Sequence, residues 1–129
     1  MARYSDKSLV NKLGLKTDMT TMFLHAPDEY YEALGIPVQL SDVKQYEFMH
    51  AFFTDKSRMA KEAPILVRNL ADKGMLWISW PKKSAQKIVP SDITEQDLRD
   101  IFLPLGVVDI KVCAVTDVWS GLKFTWRKK

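Results

Sequence analysis

The feature that most restricts the fold is a pair of nearly continuous apolar runs, Glu47-Phe-Met-His-Ala-Phe-Phe53 and Met75-Leu-Trp-Ile-Ser-Trp80, joined by a stretch of helical periodicity. A strand with one wet face alternates polar and apolar residues, so a run without alternation reads as a strand covered on both faces. Between the two runs, Met59, Ala63, Leu66, Val67 and Leu70 recur at three- and four-residue intervals, and Gly74 is expected to end that helix. Two buried strands joined by a helix lie parallel, with a right-handed crossover. Pro64 falls inside the helical stretch and removes one backbone donor. Because the apolar stripe keeps phase across it, the expectation is one bent helix from about Ser57 to Ala71 rather than two helices.

The flanking segments extend the same alternation. Ser8 is suited to cap a short helix that Gly14 ends, and Thr20 to His25 is a compact apolar and β-branched run expected to be a buried strand. Pro27 suits the first helical position, Asp28 and Glu29 favour a helix start, and Gly35 suits its left-handed end. Val38 to Leu40 reads as a short edge strand. Pro81 to Ile93 is a long, polar, basic loop, and Thr94-Glu-Gln-Asp97 resembles a helix cap with Leu98, Ile101, Phe102 and Leu105 as the buried face. Val107 to Val115 and Leu122 to Arg127 are expected strands, joined by a hairpin loop with Gly121 at a turn position. The helix before Val107 must cover the sheet, which leaves room for the last strand to fold back. That strand is therefore expected antiparallel beside Met75 to Trp80, with Val107 to Val115 at the edge.

Composition limits the function classes. A chain of 129 residues supports one hydrophobic core, so a single domain over residues 1–129 is expected. No apolar run approaches the ~20 residues needed to span a bilayer, and the first residues lack the apolar stretch of a secretory signal. Cys113 is the one cysteine, so no internal disulfide forms and a cytoplasmic setting is expected. The net charge of +3 is concentrated in Lys82, Lys83 and Lys87 and in the final Arg127, Lys128 and Lys129. Nucleic-acid binders interleave such charge with aromatics or glycine-rich turns, a pattern this sequence lacks, so a solvated basic surface is the expectation.

Alternating strands and helices ending in an antiparallel hairpin resemble the class I methyltransferases. The stretch Asn69-Leu-Ala-Asp-Lys-Gly-Met-Leu-Trp-Ile-Ser-Trp-Pro-Lys-Lys-Ser84 is similar to the helix, turn and strand in the second half of such Rossmann-like folds. Together with Leu103-Pro-Leu-Gly-Val-Val-Asp-Ile-Lys-Val-Cys-Ala-Val115 and Trp119-Ser-Gly-Leu-Lys-Phe124, it resembles a family of short, uncharacterised bacterial proteins of this fold. The resemblance runs from Ser8 to Arg127. It implies an α/β, three-layer sandwich with a mostly parallel sheet, and it implies no particular activity. One departure from methyltransferases is specific: the turn after the first strand, His25-Ala-Pro-Asp-Glu29, contains no glycine and carries two carboxylates. Glycine there lets the backbone approach a cofactor closely. No bound cofactor is expected, and Asp42 is a weak candidate for a ribose partner.

Candidate chemistry is positional. In open α/β sheets ligands bind outside the carboxyl ends of the strands. This brings Thr54 and Asp55 together with Trp80, Lys82, Lys83 and Ser84 as a site for a small anion, with Trp80 as an apolar wall. Trp119 and Ser120 in the hairpin are the second candidate, an exposed tryptophan marking a contact surface and a buried one capping the core. His50 is expected to be a core histidine bonded to backbone, and His25, although at a strand end, is read as structural. Cys113 is expected to act as a small hydrophobe. Two histidines and one cysteine make no metal site. The leading expectation is a protein of undefined or no catalytic activity that binds a small anionic ligand or a protein partner, with self-association open. The alternative is an S-adenosylmethionine-dependent methyltransferase with a degenerate cofactor loop.

Overall fold

The computed structural model describes residues 8–36 and 43–128. The expected edge strand at 38–40 and Asp42 lie outside them. The first helix, α1 (Leu9–Leu13), is followed by β1 (Thr21–Leu24), α2 (Asp28–Leu34), β2 (Tyr46–Phe52), α3 (Lys56–Arg68) and β3 (Leu70–Pro81). Then come α4 (Glu95–Phe102), β4 (Val107–Ala114) and β5 (Trp119–Trp126), with single 3-10 turns at Lys83–Ala85 and Leu103–Leu105. No helix among the described residues is long and apolar enough to cross a membrane.

The five strands form one sheet in the order β1-β2-β3-β5-β4. β1, β2 and β3 are parallel, and β5 lies antiparallel between β3 and β4. This is the arrangement expected from the sequence, with the last strand inserted and Val107–Ala114 at the edge. Strand alternation then divides the core into two layers. Phe48 and Phe52 of β2 and Trp77 of β3 face α1 and α2, packing with Leu13, Tyr30 and Leu34. Met49 and Ala51 of β2 with Phe53 just beyond it, and Leu76, Ile78 and Trp80 of β3, face α3 and α4 and meet Met59, Leu66, Leu98 and Phe102.

Local chemistry accounts for the helix ends. Ser8 caps α1 by accepting from the Asn11 N–H at 3.3 Å, and Gly14 and Gly35 end α1 and α2 in the left-handed conformation. Thr94 and Asp97 form a reciprocal capping box at the start of α4, and the backbone N–H of Thr94 holds the Asp97 carboxyl below its usual range. α3 runs unbroken through Pro64, so residues 62–65 are helical as expected, although the helix ends at Arg68 rather than Ala71.

Two glycines have different roles from those expected. Gly74 does not end α3. It lies inside β3, where Tyr46 pairs with Leu70 and Phe48 with Met75, so residues 71–74 form an irregularity in the strand. A Cβ on Gly74 would sit 2.8 Å from the Tyr46 carbonyl oxygen. Gly121 is not in the hairpin turn either, because β5 already begins at Trp119. A Cβ there would lie 2.8 Å from Val115 Cγ2 and 3.2 Å from the Trp77 ring. Val115 is β-branched and stiff, so Gly121→Ala is expected to destabilise the fold by about 1–3 kcal/mol, the usual cost of overpacking. Urea unfolding checks this, and an unchanged midpoint would show that the ring and the valine can move apart.

Candidate functional site

Parallel strands bring their carboxyl ends to one edge of the sheet, and β5, being antiparallel, contributes its first residues to the same edge. His25 follows β1, Phe53 to Asp55 follow β2, Pro81 closes β3, and Trp119 opens β5. A cleft of about 340 Å³ at this edge is lined by His25, Phe52, Phe53, Thr54, Asp55, Arg58 and Trp119.

Several side chains in the cleft are committed to partners. Asp55 caps α3, accepting from the Ser57 N–H at 3.0 Å and the Ser57 hydroxyl at 3.3 Å. One Glu62 oxygen accepts from Arg58 Nε at 2.8 Å, while the other lies 3.4 Å from His25 Nε2. The His25 ring also meets Phe53 edge-on, with centroids 5.8 Å apart. His25 has φ +59°, the one positive φ of a non-glycine residue among the described residues. That conformation costs an ordinary residue roughly 1–2 kcal/mol. Trp119 is 6% exposed and packs edge-on against Phe52 at 5.2 Å. Its indole nitrogen is the buried side-chain polar atom without a hydrogen-bond partner among the described residues.

A second cleft, of about 360 Å³, is lined by Trp80, Pro81, Lys83, Gln86 and residues 91–95. Asp92 separates it from the first, its N–H donating to the Thr54 carbonyl at 3.4 Å and its carboxylate accepting from the Lys56 N–H at 2.8 Å. The anion site expected from Thr54, Asp55, Trp80, Lys82, Lys83 and Ser84 is thus divided, and so is the separate hairpin pair Trp119 and Ser120. Thr54, Asp55 and Trp119 line the first cleft, and Trp80 and Lys83 the second, while Lys82, Ser84 and Ser120 line neither. The reason is strand alternation. Trp119 lies opposite Pro81, while Ser120 lies opposite Trp80 on the other face of the sheet. Lys83 shares its cleft with Asp92 and Glu95, as Arg58 shares the first with Asp55. Lys82 is tied by its N–H to the Val118 carbonyl at 2.7 Å, and Ser84 is exposed on the 3-10 turn.

His50 is buried as expected, but its partners are side chains. Nδ1 is 2.8 Å from the Tyr30 hydroxyl and Nε2 is 2.7 Å from the Ser79 hydroxyl. A neutral imidazole donates from one nitrogen to one hydroxyl and accepts at the other nitrogen from the second, so both contacts are satisfied without a buried charge. Burial pushes its pKa down to about 3 and pushes the Tyr30 hydroxyl well above its ordinary range. Cys113 is half-buried on β4, and burial raises its thiol pKa. Residues 58 and 62 carried no signal in the sequence beyond their helical positions. Their approach to His25 follows from the packing of α3 against the end of β1. No group of three or more His, Cys, Asp or Glu residues suited to a metal occurs among the described residues.

No protein-family model matches the chain, and no curated protein matches it in sequence. Solved structures do match it. A SAM-dependent methyltransferase from Aquifex aeolicus superposes with TM-score 0.60 over 90% of this chain and 86% of its own, at 15% identity. The ribosomal protein L11 methylase from Lactobacillus delbrueckii subsp. bulgaricus gives TM-score 0.53 over 93% and 75%, at 14% identity. The fold is that of the class I methyltransferases. The chain spans only about half the length of other methyltransferases it matches, including 56% of N-methyltransferase NodS from Bradyrhizobium japonicum, which it resembles with TM-score 0.50 over 70% of its own length at 12% identity.

Proposed function

We propose that this chain is a small-ligand-binding protein on the methyltransferase scaffold, taking an anionic molecule in the cleft formed by His25, Thr54, Arg58 and Trp119. The observation that carries the reading is the buried indole N–H of Trp119, unpartnered among the described residues, on a side chain that lines that cleft. A buried donor left unsatisfied costs about 1–3 kcal/mol, which an acceptor on a bound ligand would recover. Asp55, the carboxylate among the lining residues, is committed to the α3 cap, and Arg58 is paired through Nε with Glu62 behind the lining. The groups left over are donors: the indole N–H, the terminal nitrogens of Arg58 and the Thr54 hydroxyl. A carboxylate or phosphate is the complement of such a set.

The second reading is S-adenosylmethionine-dependent methyl transfer, and the structural neighbours favour it over a role without chemistry. The residues here do not fit that cofactor well. The turn between β1 and α2 is His25, Ala26 and Pro27; Pro27 has no N–H to offer and Asp28 and Glu29 stand at the helix start, facing any approaching carboxylate. We therefore expect calorimetry with S-adenosylmethionine and S-adenosylhomocysteine to give no measurable heat of binding. A micromolar dissociation constant would establish the second reading instead. A thermal-shift screen of small carboxylates and phosphates tests the first, because a ligand at a hundredfold its dissociation constant adds about 2.7 kcal/mol. The shift should be lost in Trp119→Phe, which keeps the ring packing and removes the N–H.

A further inference from the structure

We infer that the outer edge of β4 takes up an extended acidic peptide of a partner protein as a further strand of the sheet. No residue of β4 lines the proposed ligand cleft, so the inference stands independently of that reading. β4 ends the strand order and pairs with β5 alone, so the backbone groups on its other side meet no partner among the described residues. An unpaired row of N–H and C=O groups is a template for another strand. The side chains of β4 set what kind of strand fits. Ile110 is the extra residue where the pairing slips between Asp109 and Lys111, and it is 52% exposed. Val112, 47% exposed, lies opposite Leu122 on the face of the sheet that α3 and α4 cover. Two large apolar side chains are thus left in water beside an open edge.

The other face of the strand is basic. Lys111 stands directly opposite Lys123, an arrangement unfavourable for like charges. Lys123 is half-buried, and its ammonium pKa is lowered first by that burial and then by Lys111. Lys12 of α1 belongs to the same patch: burial raises the Cys113 thiol pKa, and the charges that oppose the rise are Lys111 and Lys12. None of these three lysines makes an ion pair among the described residues. Asp109, the one acid of β4, lies opposite Phe124 on the first face and is held by Arg99 at 3.0 Å. A strand alternating apolar and acidic residues answers both faces at once. Its apolar side chains cover Ile110 and Val112, and its carboxylates lie over Lys111, with Lys123 one strand further in. A second copy of this chain is a poor occupant. Antiparallel pairing about Lys111 or Val112 sets the two Lys111 side chains opposite or diagonal to one another, and the irregularity at Ile110 interrupts pairing about that residue. The lysine that keeps a second copy away therefore selects an acidic strand.

The test uses the full chain and a capped six-residue peptide of alternating glutamate and valine at low ionic strength. In nitrogen–proton NMR the peptide should move the backbone amides of residues 111–114 and slow the exchange of those that face it. A peptide of the same composition with its glutamates and valines in separate blocks should bind at least about tenfold more weakly. Lys111→Glu should weaken the alternating peptide at least about tenfold and bring in its lysine–valine counterpart. The same substitution replaces a like-charge pair with an opposite one, so its melting temperature should equal or exceed that of the parent, which separates lost binding from lost folding. Unmoved β4 amides at about millimolar peptide, equal binding of the block or lysine–valine peptide by the parent, or undiminished binding by Lys111→Glu would overturn the inference. Dimerisation of the parent in sedimentation with the β4 amides protected would also overturn it, by giving this edge to a second copy.

Discussion

Between pH 6.5 and about pH 3 the chain is expected to lose stability at up to about 1.4 kcal/mol for each unit of acidification through one residue, His50. Its folded-state pKa is about 3 against an ordinary 6.5, because burial disfavours the charged ring. Within that interval the unfolded chain takes up a proton at this position and the folded chain does not, so stability falls as pH falls and levels off below the folded value. Above pH 6.5 the residue contributes no slope. The effect is strong because the imidazole is fully buried between Tyr30 of α2 and Ser79 of β3, among the rings of Phe48, Phe52 and Trp77. A charged ring could no longer accept from either hydroxyl. His50→Gln removes the titration and keeps a polar side chain between the two hydroxyls. Urea midpoints of parent and variant, measured across this interval, should converge at the acid end. Parallel curves would show that His50 is accessible to protons in the folded state.

Trp77→Ala is expected to destabilise the fold by about 3–5 kcal/mol, as large aromatic truncations in a core do. Trp77 is fully buried on β3, with β2 and β5 on its two sides. Its ring fills the layer between the sheet and α1 and α2, and Gly121 lacks a side chain where that ring passes. Its indole N–H also donates to the Leu13 carbonyl at 2.8 Å, satisfying an acceptor at the end of α1. Trp77→Phe keeps most of the apolar volume and loses that bond, for a smaller cost of about 1–2 kcal/mol. Amide exchange separates the contributions. In Trp77→Phe, the protection of α1 should fall while that of β2 and β3 stays close to the parent, and equal loss in all three would mean that α1 is not held through the indole.

Several of the expectations that held rest on local periodicity. The unbroken apolar runs of Phe48–Phe53 and Met75–Trp80 show burial on both faces without reference to any other segment, and in the fold both strands are covered by helices. The in-phase stripe across Pro64 likewise predicted a continuous helix. Gly74 and Gly121 misled for a shared reason. Glycine is read locally as a stop or turn residue, but here the carbonyl of Tyr46 and the side chain of Val115 exclude a Cβ. Tyr46 is twenty-eight residues away from Gly74 in the chain, and no local pattern reports such a contact.

The candidate site divides along the same line. The order of strands and helices places Thr54 and Asp55 at the carboxyl ends of the strands, while it offers Trp119 only as part of a separate hairpin candidate. In the structure Thr54 and Asp55 line one cleft and Trp80 and Lys83 the other, with Asp92 between them. The sequence by itself determined the element types, the parallel sheet with its inserted final strand and most of the buried residues, since these depend on hydrophobic spacing and on the few ways such elements can pack. Only the tertiary structure decided the left-handed turn at His25, the carboxylate that Glu62 brings to it, the unpartnered indole of Trp119 and the buried Tyr30–His50–Ser79 contacts. Each of those depends on side chains from separate elements meeting at hydrogen-bonding or packing distance, and that meeting is set by how helices and strands dock rather than by any residue's neighbours in the chain.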